Sequence, residues 1–279
     1  MNTYILQQQF AQIGARLEVK TAPPDDQRFI SLGRRSPAPP NYLLDITRLQ
    51  GDEQFSLTLR PGANKELEFL AVDVRPEQRQ LLLLMKPTVS GRDKEKFLCG
   101  HDERHWFVAP IPRPQRIANV SQAIEALKPT EAIRSQWRQQ VRDKDWNKRH
   151  NAGFLRQGEW FFVPLPNFTP PSNIYIMTNE PIQRTGSKAH HVQFLYRVGG
   201  TKVYVSRKYP QGISEAQYKK VIANDPAAEK MRWNMMQRDP QVYAKGKVSH
   251  PDHATITLPF WHQVWMSGEN RSANIVFLD

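Results

Sequence analysis

Hydrophobic and polar positions change period several times along the chain. From about residue 54 they alternate: Phe55, Leu57 and Leu59 stand against Ser56 and Thr58, and the segments "LEFLAVDV" and "RQLLLLMK" flank the turn "RPEQ". "KFLC" and "WFVAPIP" then flank "GHDERH". Period-two runs separated by turn residues predict a β-meander.

Over residues 113–150 the period moves towards four. "NVSQAIEALK" has Asn119 or Ser121 as N-cap, and after Pro129 the residues Ile133, Trp137 and Val141 recur at helical spacing. This predicts a helical pair over about 119–150 with an apolar stripe on its second member.

Strands resume after residue 153. "GFLRQGEWFFVPLP" shares its wording with "KFLCGHDERHWFVAPIP", a likeness that two unrelated amphipathic hairpins also produce. In "HHVQFLYRVGGTKVYVSRKY" the pair Gly199-Gly200 predicts a two-residue hairpin loop with Val198 opposite Thr201. Ser214 with Gln217 forms a capping box that opens a second helical pair, over about 214–240. The chain closes in the strands "ATITL", "WHQVWM" and "NIVFL".

Strand runs separated by helix pairs define an α+β class built from antiparallel meanders and hairpins. The expected division is an N-terminal meander with its helical pair over 1–150 and a hairpin domain over 151–279, or one continuous domain. Residues 1–45 contain a short helix ended by Gly14 and proline-rich connectors, and are expected to wrap the surface.

Composition changes the picture in two respects. A single cysteine, Cys99, excludes an intramolecular disulfide and a CxxC zinc motif, and with no leader pattern or long apolar run this points to a cytoplasmic chain without membrane contact. A formal charge of +12 favours association with phosphate backbones. Arg134, Arg138 and Arg142 recur every fourth residue, and Lys148 and Arg149 continue the charge. On one helix they would form a ladder able to track phosphates, or a solvated face.

The histidines are the other candidate chemistry. In "HPDH" the proline suits the second position of a tight turn, which brings His250 and His253 together with Asp252 as an orienting carboxylate. The same residues are ordinary turn chemistry. His190 and His191 point to opposite faces of their strand; His190 falls on the apolar face as a core residue, leaving His191 to join the turn. His262 belongs to the edge of a core. The run Cys99 to His105 holds potential ligands but reads as a charged hairpin loop. No phosphate-binding glycine loop, dinucleotide fingerprint or nucleophile elbow is present.

The leading expectation is a non-catalytic protein that needs no cofactor and binds DNA, RNA or another polyanion through Arg134, Arg138, Arg142, Lys148 and Arg149. Its rival is a hydrolase, acting on phosphodiesters, with His250 and His253 as ligands of a divalent metal or as an acid/base pair, Asp252 orienting them and His191 as third member. A protein-interaction scaffold is a third alternative. Whether the chain is an enzyme stays open at this level.

Overall fold

The structure is a computed structural model that describes residues 2–29, 40–88, 93–112, 116–183 and 188–268. It is mixed α+β with antiparallel sheets, as the alternation predicts. The chain divides into two compact units, Met1–Lys128 and Pro129–Asp279. The division falls between the two helices of the first expected pair rather than at residue 150.

In the N-terminal unit, α1 (Thr3–Gln12) is capped by Asn2 and leads to β1 (Leu17–Thr21). β1 pairs parallel with β3 (Asp52–Leu59), which pairs antiparallel with β2 (Tyr42–Leu49). After the single turn α2 (Ala63–Glu66), the strands β4 (Leu67–Arg75), β5 (Gln80–Pro87), β6 (Glu95–Asp102) and β7 (His105–Pro110) form the expected meander in sequential order. The N-terminal segment does not simply wrap the surface. Leu6 and Phe10 are buried in the main core with Phe55, Leu57, Leu81 and Leu83, because an amphipathic helix gains more by covering an open sheet face than by lying in water. The connector "RRSPAP" lies outside the described residues. α3 (Val120–Leu127) starts at the Asn119 cap and lays Val120, Ala123 and Leu127 over Leu82 and Leu98 of the meander.

In the C-terminal unit, α4 covers only Thr130–Arg138. Gln140 adopts a left-handed φ of 49°, and the Val141 amide bonds back to the Gln136 carbonyl at 3.0 Å, a helix stop that normally carries glycine. The expected long helix is therefore wrong, and a glutamine in the stop position is why no residue announced its end. The buried face of α4 is Ala132, Ser135 and Gln136, so Trp137, expected in the core stripe, is 71% exposed.

A seven-stranded sheet follows, built from β8 (His150–Asn151), β9 (Phe154–Gln157), β10 (Trp160–Pro164), β11 (Ile176–Ile182), β12 (His190–Val198), β16 (Gln241–His250) and β17 (His253–Met266). Their spatial order is β11-β12-β16-β17-β10-β9-β8. A smaller sheet holds β13 (Thr201–Ser206) between β14 (Tyr209–Ile213) and β15 (Asn234–Arg238), with α5 (Glu215–Asn224) nearby behind its Ser214–Gln217 capping box. The second helix expected over 226–240 is only a short 3-10 turn, Pro226–Lys230, before β15 begins.

The predicted Gly199-Gly200 hairpin does not form. Val198 pairs with Gln241 and Thr201 with Arg238, so β12 and β13 run on past the glycines along the partner chain β15–β16. Both glycines have positive φ, 72° and 87°, and turn the ribbon from one sheet into the other. A Cβ on Gly200 would stand 3.0 Å from the Arg238 carbonyl and 3.1 Å from Pro240 nitrogen. The residue pattern of a tight turn thus serves a bend between sheets. "ATITL" and "WHQVWM" are one continuous strand, β17, and "NIVFL" lies outside the described residues.

Candidate metal centre

The candidate site is a row of three histidines across three hydrogen-bonded strands. Pairing of His191 with Ser249 puts His190 of β12 beside His250 of β16, and His250 in turn pairs with His253 of β17. The turn Pro251-Asp252 joins β16 to β17 as its chemistry predicted. The His190 and His250 rings stack at 4.1 Å, His250 and His253 at 4.6 Å, and His190 and His253 at 5.6 Å. One ring nitrogen from each lies within 4.8 Å of those of the other two.

His191 is not part of this row. Its side chain points to the opposite, exposed face, and the expected convergence is completed by His190 instead. The strand parity was right; the assumption that a histidine on the apolar face is satisfied was not. His190 is 1% exposed, and neither ring nitrogen has a hydrogen-bond partner. Buried polar groups without partners are rare and costly.

The surroundings tighten the row. The β9–β10 turn packs over it: Gln157 Nε2 donates to the carbonyls of Ala254 at 2.6 Å and Val248 at 3.3 Å, tying β9 to both strands that carry the turn. Gly158 follows, with φ of 58°, and the space where its Cβ would sit is 3.0 Å from His253 Nε2 and 3.2 Å from His190 Nε2. The two nitrogens thus face one small gap that only glycine leaves open. Neither Gly158 nor His190 stood out in the sequence. The available signal was a polar ring in a column of Val192, Val248 and Ile256.

Asp252 accepts from Lys188 Nζ through both oxygens at 2.8 Å, so its charge is directed to that lysine. His250 Nδ1 accepts from the Asp252 amide at 3.1 Å. Coordination through that nitrogen would exchange this bond for a metal bond.

Electrostatics favour the neutral form of the His190 and His250 rings. Burial first, and then the charges His250 and His253 would carry, push the His190 pKa down to about 3. Burial and His253 lower that of His250, against the opposing pull of Asp252, Glu159 and the Lys188 backbone. Neutral imidazoles offer lone pairs, which suits a transition metal and not an anion. His262 stands apart, buried, with Nδ1 2.8 Å from the Phe260 carbonyl.

The five basic residues expected on one helix are distributed differently. Arg134 and Arg138 are on α4, whereas Arg142, Lys148 and Arg149 follow its end. Arg142 and Lys148 both pair with Asp145, at 2.9 and 2.6 Å, and Arg134 stands 3.9 Å from Glu131. Cys99 is fully buried, with its thiol pKa raised by burial, so it is no nucleophile. No described helix is long and apolar enough to cross a membrane.

Compared with family models, curated proteins and solved structures, the chain matches none.

Proposed function

We propose that the C-terminal unit carries a hydrolytic metal centre, with His190, His250 and His253 as ligands and Zn²⁺ as the fitting ion. The observation that carries this reading is His190, buried with both ring nitrogens unpartnered and two further imidazoles stacked beside it. Zinc bonds imidazole nitrogen at about 2.0–2.1 Å, which sets ligand nitrogens roughly 3.3 Å apart in a tetrahedron. The ring nitrogens lie within 4.8 Å of one another, a separation that side-chain rotation, not a new fold, would reduce to that spacing. Three histidines leave one tetrahedral position for water, the composition of catalytic rather than structural zinc sites. When bound, the metal would lower the pKa of that water and polarise the scissile bond.

The protein's own part is to hold His190 and His250 neutral, to fix the three rings on adjacent strands and to keep space open at Gly158. Phosphodiesters are the proposed substrate class. The unit holds 21 Lys and Arg against 12 Asp and Glu, a surplus of nine, which favours anionic substrates. The test is calorimetric titration of the metal-stripped protein with Zn²⁺, followed by assay of the loaded protein on an activated phosphodiester. Binding near one equivalent that His190→Ala abolishes, with turnover, supports the reading. No zinc binding, or binding untouched by that substitution, rejects it.

A second reading rests on Trp137. The exposed Trp137 indole meets Trp146 edge-to-face at 5.0 Å, and Arg134, Arg138 and Arg142 of the same segment are exposed. Exposed aromatics among cations suit stacked bases and phosphates. On this reading the unit binds single-stranded nucleic acid there, and quenching of indole fluorescence by an oligonucleotide, absent in Trp137→Ala, tests it.

A further inference from the structure

The N-terminal unit contains a polar cleft of about 390 Å³ where the start of β1, the β2–β3 turn and the β6–β7 turn meet. Its framework is Glu53. The carboxylate accepts from His105 Nδ1 at 2.7 Å, from the Trp106 amide at 3.0 Å and from Arg48 at 3.2 Å. Burial opposes ionisation, but the Trp106, His105 and Arg48 bonds outweigh it and hold Glu53 below the usual carboxylate range. An ionised carboxylate can only accept, so His105 Nδ1 carries the proton. His105 lines the cleft.

Glu53 is thus engaged by three donors, and the cleft's net charge is set by what remains. Arg16 and Arg104 line it, both exposed and without an ion pair among the described residues. Asp52 is the one further acid in the lining. Arg79 lies over the Trp106 ring at 4.7 Å, adding a cation and closing that aromatic face to a ligand ring. His101 meets the Trp106 edge at 4.9 Å, and burial and Arg79 lower its pKa. The cleft is therefore cationic and offers donors, not an aromatic platform.

We propose that this cleft is an oxyanion site for phosphate, held by Arg16 and Arg104 beside a wall in which Glu53 fixes His105. Arg16 and Arg104 come from different segments of the lining, and a planar guanidinium matches the bidentate geometry of phosphate oxygens. The site lies in the other unit from the histidine row and rests on separate residues.

The test is titration of the full chain with inorganic phosphate, with acetate as the carboxylate arm, followed by calorimetry and by the ring resonances of the histidines. Phosphate is expected to bind, to shift the His101 and His105 resonances but not that of His262, and to bind roughly tenfold or more weakly in the R16A/R104A double variant. Should that variant not fold, the resonance shifts in the unaltered chain decide. Absence of phosphate binding, equal response to acetate, unchanged affinity in a folded double variant, or shifts confined to other histidines would each overturn it.

Discussion

The His190 and His250 rings lie 4.1 Å apart and 25° from parallel, on neighbouring strands. Two imidazoles stacked in a buried place repel if both are charged, so the pair is stable only while neutral or while sharing a ligand.

Metal binding should stabilise the fold. A ligand that binds only the native state adds RT ln(1 + [L]/Kd), about 2.7 kcal/mol at a hundredfold excess over Kd. Zn²⁺ is therefore expected to raise the melting temperature of the unaltered chain and of His191→Ala, whose side chain is on the other face. His190→Ala and His253→Ala should show no shift. A similar rise in all four, read by scanning calorimetry, would argue against the row as the site.

Acid should unfold the C-terminal unit through His190. Its folded pKa, near 3, is below the unfolded value of about 6.5, so the unfolded state binds more protons between these limits. Stability is full above pH ~6.5 and falls as pH drops towards 3, by about 2 kcal/mol between pH 7 and 5. His250 and His262, also lowered, add to the slope. Urea denaturation at a series of pH values should give a shallower dependence in His190→Phe than in the unaltered chain.

Gly158→Ala should harm the site more than the fold. Its φ of 58° costs an alanine roughly 1 kcal/mol, and the new methyl would stand 3.0 Å from His253 Nε2. The variant is expected to fold with a slightly lower melting temperature and to lose zinc affinity by calorimetry.

Trp137→Ala should leave stability within about 0.5 kcal/mol, because the side chain is mostly in water. If the second reading holds, oligonucleotide affinity falls by about 1–3 kcal/mol, the usual worth of a stacked base. Filter binding at two salt concentrations separates this loss from that of Arg138→Ala, which should instead flatten the salt dependence.

The meander β4 to β7, both capped helix starts and the Pro251-Asp252 turn were legible in the sequence, since each depends on neighbours along the chain: alternation, a capping side chain, a proline φ. So was the pairing of His250 with His253, which the turn alone imposes. Less was legible where one local pattern serves two arrangements. Gly199-Gly200 permits positive φ whether the strand reverses or bends into a second sheet, and the choice fell to β15 and β16, some forty residues further on. Gln140 ends α4 in a conformation its side chain does not advertise, which separates Arg142 from Arg138. His190 looked like an ordinary core residue because burial can be read from parity, whereas hydrogen-bond satisfaction depends on what the neighbouring strands bring. The sequence by itself determined the strands, the caps and the two-histidine turn, all set by short-range sterics and side-chain period. Only the tertiary structure decided which third imidazole joins them, because strand order is fixed by long-range pairing and burial, and that order put β12 beside β16.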